Sequence, residues 1–121
     1  MVDTSVWAQH IDRNVDALTA ALNAGQVLIH PFVIGELAMG NLRRRGPVLS
    51  ELQDLPKVIV ASDQETLGLI ERSRLFGIGI GYVDAHLLAA ALLSAGTSLW
   101  TFDKRLDTAA ARLGLSHKIG S

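Results

Sequence analysis

Short, wholly apolar runs alternate along this chain with longer segments in which apolar residues recur every three or four positions. The first pattern reads as strand and the second as helix, because side chains alternate across a strand but share a helix face at i, i+3 and i+4. Met1-Val2 is a stub of strand that runs straight into Asp3. Val27-Leu28-Ile29-His30 is apolar as far as His30, as expected for a parallel strand covered on both faces. Lys57-Val58-Ile59-Val60 is short and β-branched, Ser98-Leu99-Trp100-Thr101 gives a fourth strand, and Ser116-His117-Lys118-Ile119 a fifth at the sheet edge.

Helices fill the intervals. Thr4-Ser5 reads as the N-cap of a helix to about His10, and Asn14 as the N-cap of a helix carrying Leu18, Ala21 and Leu22 that Gly25 ends. Pro31 opens a helix to about Leu42 that is apolar nearly all round, so Glu36 in its second turn stands out. Arg43-Arg44-Arg45-Gly46 closes that segment, and Pro47 restarts a helix to about Leu55. Ser62-Asp63-Gln64-Glu65 has the spacing of a capping box for a helix to Phe76. Gly77-Ile78-Gly79-Ile80-Gly81 is a flexible connector, lacking the spacing of a phosphate loop. Asp84 lies in the first turn of a long, small-residue helix ended by Gly96, and Lys104 to Leu113 is the last helix. This order predicts one α/β domain over residues 1–121, an open, mostly parallel sheet of four to five strands with helices on both faces.

Composition sharpens the picture in two places. Hydrophobic residues make up 49% before the 11 glycines are added, which lifts the chain above the roughly 45 to 50 per cent of ordinary domains counted with glycine. The excess points to a protein interface. Cysteine is absent, which removes disulfide frameworks and thiolate metal sites and agrees with a reducing compartment. The longest apolar run, Leu87 to Leu93, falls far short of the ~20 residues that cross a bilayer. With no basic leader before a hydrophobic segment, the expected location is the cytoplasm.

The predicted topology brings four acids to one crevice: Asp3 and Asp103 at strand ends, Glu36 and Asp84 in early turns of helices that follow loops on the same side. Four carboxylates without His or Cys form a hard, all-oxygen site that prefers Mg²⁺ or Mn²⁺ over zinc. Divalent metal would offset their repulsion, activate a water and hold a phosphodiester for in-line displacement. Ser5 and Thr101 are placed to hydrogen-bond the carboxylates, and Asp107, one turn beyond Asp103, is a further outer acid. Net charge is −1. With the four site acids set aside, eight acids remain against 11 Lys and Arg, so a cationic body surrounds an anionic pocket. Arg43, Arg44, Arg45, Lys104 and Arg105 are the candidate phosphate contacts. His10, His30, His86 and His117 lack ligand spacing and read as structural or surface residues.

The run Val2-Asp3-Thr4-Ser5-Val6-Trp7, the isolated Glu36, the segment Asp84-Ala85-His86-Leu87-Leu88-Ala89-Ala90-Ala91 and the ending Leu99-Trp100-Thr101-Phe102-Asp103-Lys104-Arg105-Leu106 together resemble a PIN domain. Within that family they look most like the VapC toxins of toxin–antitoxin pairs. The resemblance spans the whole chain. It implies a Mg²⁺- or Mn²⁺-dependent endoribonuclease that uses Asp3, Glu36, Asp84 and Asp103 to cut structured RNA such as tRNA or rRNA. It also implies a homodimer and inhibition by a cognate VapB-type antitoxin that enters the acidic groove. One departure is that only Met1 and Val2 precede Asp3, which makes the first strand short.

Two other readings start from the same residues. An aspartyl phosphatase of the haloacid dehalogenase type also begins at a strand-end Asp, but needs a second Asp where Ser5 stands. A catalytically silent PIN-like module would bind RNA or protein without cutting, and chelator-sensitive cleavage separates it from the nuclease.

Overall fold

The structure, a computed structural model, describes residues 1–118. Among these residues seven helices form: α1 (Thr4–Arg13), α2 (Asp16–Asn23), α3 (Pro31–Ala38), α4 (Arg45–Asp54), α5 (Asp63–Ser73), α6 (Tyr82–Leu93) and α7 (Lys104–Arg112). The strand expectations are realised only as single-residue parallel bridges: Val2 with Trp100, Leu99 with Ser116, and Ile29 with Lys57. Asp3 N–H donates to the Trp100 carbonyl and Trp100 N–H to that of Met1, each at 2.9 Å. On the other side of the same segment, Leu99 N–H donates to Leu115 O at 2.7 Å and His117 N–H to Leu99 O at 3.1 Å. The segment at Leu99–Trp100 therefore lies between the first residues and the last described ones. Ile119, the final residue of the expected fifth strand, lies outside the described residues.

The third expected strand, Lys57 to Val60, departs furthest from its pattern. Ile29 N–H and Val58 N–H pair with Pro56 O and Ile29 O, but Ile59 N–H goes to the Ser94 hydroxyl at 2.9 Å and pairing ends there. Ile59 and Val60 are left 57% and 48% exposed. A β-branched pair thus sits on the surface instead of between two helical layers.

Helix starts also shift. Asn14 does not cap α2: it ends α1 with φ 45°, and Val15 occupies the N-cap position. The Asn14 side chain still supports the turn by donating to Asp16 and accepting from Thr19. Thr4 and Ser5 lie within α1, behind Asp3 at its N-cap, which frees both hydroxyls for other partners. The capping box at Ser62 and Glu65 forms as expected, with bonds of 3.0 and 2.9 Å. Helix α3 stops at Ala38, short of Leu42, and Arg45 Nη2 caps its end by donating to the Ala38 carbonyl at 3.1 Å.

Helix α6 is the central pillar: every residue from Ala85 to Ala91 is buried, with Leu87 and Leu88 wholly so. Each such leucine contributes roughly 1.5 to 3 kcal/mol by leaving water. Val6, Leu18, Ile29, Val33, Leu99 and Leu106 from other segments belong to the same core. The helix that carries Asp84 is thereby fixed in the core, and its first turn emerges at the crevice. Among the described residues no helix is long and apolar enough to cross a membrane.

Candidate active site

Asp3 is 6% exposed, and two hydroxyls hold it. Ser5 Oγ and Thr101 Oγ1 each donate to its Oδ2 at 2.7 Å. Both hydroxyls also accept: Ser5 from the Phe102 N–H and Thr101 from the Asp103 N–H, each at 3.0 Å. A hydroxyl has one proton to give, so the Ser5–Thr101 approach of 3.2 Å is proximity between two acceptors already committed to Asp3. The acid at the start of α1 is thus locked to the 101–103 segment, and Oδ1 keeps no protein partner among the described residues.

The other acids are each held by a different device. Glu36, exposed on α3, accepts from Thr4 Oγ1 at 2.7 Å, a bond that ties α3 to the first turn of α1. Asp84 Oδ2 reaches back to accept the Gly81 N–H at 3.1 Å. Asp103 Oδ1 caps α7 by accepting from Arg105 N–H and Leu106 N–H at 2.9 and 3.2 Å. Capping and site geometry therefore coexist at Asp84 and Asp103. Burial pushes the Asp84 carboxyl above its ordinary range, and the charges of Asp3, Asp103 and Glu36 push it the same way, against the Gly81 bond. Asp84 thus feels all three other acids.

Among the described residues no group of three Asp, Glu or His side chains stands in a metal-holding arrangement. The donor set nonetheless fits a small hard cation. Mg²⁺ keeps several waters and takes one or two carboxylates at a time, so a cluster of oxygen donors need not close on it as a cage.

The basic candidates divide. Arg45 is spent on the end of α3. Arg43 and Arg44 border an apolar groove of about 490 Å³ with Trp7, Ile11, Leu22 and Leu52. A second groove of about 380 Å³ shares Ile11 and Arg43 with it and reaches Thr4 and Glu36. Lys104 and Arg105 are exposed at the start of α7. Arg105 lies across the glycine connector, where a Cβ on Gly79 would meet its Cδ and Nη1 at 2.7 Å. The connector is therefore shaped to its neighbour, with φ +86° at Gly79, and is more than a spacer. Asp107, the further outer acid expected from the sequence, accepts from Ser116 Oγ through Oδ1 at 2.7 Å.

Sequence reading missed the network behind α6. His86, 2% exposed, places Nε2 at 3.0 Å from Asp63 Oδ1 and Nδ1 at 3.2 Å from Thr66 Oγ1, and Tyr82 Oη donates to the same Asp63 oxygen at 2.8 Å. The i, i+4 spacing of Tyr82 and His86 was the available signal, since it puts both on one face of α6.

Four acids, of which Asp3 and Glu36 are anchored across separate segments and Asp84 is raised in part by the other three, on a chain of alternating helices and parallel-paired segments, define a nuclease-like α/β domain. The PIN domain family matches residues 1–112, and the chain belongs to it. Over 117 residues, 96% of this chain and 94% of the relative, it is 44% identical to "Ribonuclease VapC32" of Mycobacterium tuberculosis strain CDC 1551 / Oshkosh. The same figures hold for the protein of that name in strain ATCC 25618 / H37Rv. No solved structure matches the chain.

Proposed function

We propose that this chain is a VapC-type toxin, a cytoplasmic endoribonuclease that cuts structured RNA such as tRNA or rRNA and is held in check by a VapB-type antitoxin. The observation that carries the reading is the hydroxyl network of α1: Ser5 and Thr101 lock Asp3 to the segment that ends in Asp103, and the adjacent Thr4 holds Glu36. Asp3, Glu36, Asp84 and Asp103 are the residues that would hold Mg²⁺ or Mn²⁺. When bound, the metal supplies an activated water and neutralises charge at the phosphodiester. The chain supplies position. Ser5 and Thr101 fix Asp3 through Oδ2 and leave Oδ1 uncommitted, while Thr4 sets the Glu36 carboxylate. Burial and the neighbouring acids raise the Asp84 carboxyl, and a bound cation would favour its charged form.

The same reading extends to fold and partners. The three parallel bridges are segments of one open, mostly parallel sheet of four to five strands with helices on both faces. The connected grooves lead from the apolar patch at Trp7 and Leu52 to Glu36. A partner segment with an apolar stretch seats there and extends into the crevice, with Arg43 and Arg44 meeting its acids. The active unit is a homodimer.

The test is cleavage of total cellular RNA with Mg²⁺ or Mn²⁺, with chelator, and with Asp84→Asn. Chelator and the substitution should each abolish cutting. Cutting by Asp84→Asn at the parental rate would overturn the assignment of the four acids.

A further inference from the structure

The chain has two Trp, one Tyr and three Phe. Both tryptophans are buried, whereas Phe32, Phe76, Tyr82 and Phe102 are 39 to 59% exposed. Three of these four rings are carried by the segments that carry the acids. Phe32 precedes Glu36 by one turn on the same face of α3, Tyr82 is two residues before Asp84, and Phe102 adjoins Asp103.

Phe32 and Tyr82 are joined through a third ring. The buried His86 imidazole lies 5.0 Å from the Phe32 ring at 67° and 4.8 Å from the Tyr82 ring at 88°, both edge contacts. The Tyr82 hydroxyl is tied to Asp63, and the Phe32 N–H donates to His30 Nδ1 at 2.9 Å. Tyr82 is therefore exposed yet tied down by its hydroxyl, and the exposed Phe32 ring is seated against His30 and His86, which lowers the ordering entropy that stacking costs. The charge pattern names the occupant. Asp63, with 80% of its side chain exposed, stands behind the platform and repels phosphate, so a neutral ring settles there while the backbone runs elsewhere.

We propose that Phe32 and Tyr82, held against His86, form a stacking platform for one unpaired base of the RNA beside the bond to be cut. This rests on the reading that RNA is the substrate. An A-form duplex keeps its base faces stacked on one another, whereas loops and ends can splay bases onto aromatic side chains. The platform thus selects unpaired positions without selecting a particular base, because every base has a π-face.

The experiment uses single-stranded RNA decamers carrying 2-aminopurine at successive positions, bound to the Asp84→Asn chain so that cleavage does not intervene. Fluorescence should be quenched at one position, and this scan needs no change to either ring. Phe32→Leu and Tyr82→Leu should each remove the quench and weaken single-strand binding by about 5- to 150-fold, the span of 1 to 3 kcal/mol per stacked base. Tyr82→Phe should keep both within about threefold, and binding of a blunt duplex should not change. A uniform absence of quenching, or equal weakening on duplex and single strand, would overturn the platform. A parent chain that quenches 2-aminopurine but never cuts RNA would instead strike the nuclease reading.

Discussion

Asp84 serves two requirements that pull in opposite directions. Its carboxyl is raised by burial and by three neighbouring acids, so the folded chain binds its proton more tightly than the unfolded chain does. Stability from this group is therefore present at low pH and lost as pH rises through the raised value. At neutral pH without metal, Asp84→Asn should melt higher than the parent, because it removes the charge and keeps an acceptor for the Gly81 N–H. Added Mg²⁺ or Mn²⁺ should raise the parent's melting point more than the variant's, since ligand stabilises only the form that binds it. A variant that melts lower than the parent in chelator would show a structural role for the carboxylate. His30 has the opposite sign. Burial, and then His86, lower its value from 6.5 to about 4. Its Nδ1 accepts from Phe32 N–H, so the proton sits on Nε2, which is buried with no partner. The unfolded chain takes up a proton between pH 6.5 and 4 that the folded chain refuses, so stability falls across that window by up to about 3 kcal/mol. His30→Asn keeps a cap acceptor and cannot titrate there. Its melting point should drop less than the parent's between pH 7 and 4.5, and parallel curves would show that His30 is not the group responsible.

At the level of elements, position along the chain was easier to read than pairing. The seven helical segments were legible because periodicity, capping residues and terminal glycines agreed, as at Ser62 to Glu65 and at Gly114. The strands were legible as apolar runs, but a run of four residues does not say where its backbone donors go. Ile59 spends its N–H on Ser94, a residue 35 positions away, and no local pattern announces that. Asp3, Asp84 and Asp103 stood out by their places at element ends, and Glu36 as the lone acid of an apolar helix. The hydroxyls that hold them were read for Ser5 and Thr101 and missed for Thr4, because a Thr after Asp looks like a cap until α3 is placed beside it. The glycine connector shows the same limit. Its composition suggests looseness, yet Gly79 combines φ +86° with a side chain of Arg105 where a Cβ would stand. Gly79→Ala should therefore destabilise by two separable parts. In an Arg105→Ala background the contact part disappears and a backbone part of about 1 to 2 kcal/mol remains, measurable by denaturant midpoint. Equal penalties in both backgrounds would show that Arg105 moves aside without cost.

For the whole molecule, the surplus of apolar residues has a location that composition could not supply. Beside Ser94, which accepts the Ile59 N–H, lie Leu92 and Leu93 at the end of α6, exposed by 45% and 40%, and next to Ile59 stands Val60. A groove between α5 and α6 lined by Leu69, Ala89, Leu92 and Leu93, together with Glu65 and Arg72, adjoins these leucines. Exposed apolar side chains of this kind would be covered in the homodimer proposed above. Asp84 lies at the opposite end of α6, in its first turn, so association through the Leu92 end would leave the proposed site open to RNA. Two such faces brought together by a two-fold axis form a self-complementary interface of the commonest symmetric kind. Placing a carboxylate at its centre leaves an unpaired charge facing an apolar partner. Leu92→Asp should therefore convert a dimer of the 13.0 kDa chain to monomer in light scattering at micromolar concentration. Far-UV spectra should be unchanged, because Leu92 lies outside the buried core. Cleavage per chain should survive if each crevice is complete within one copy. A parent that is already monomeric would remove the interface, whereas a dimer that persists in Leu92→Asp would move it to another face.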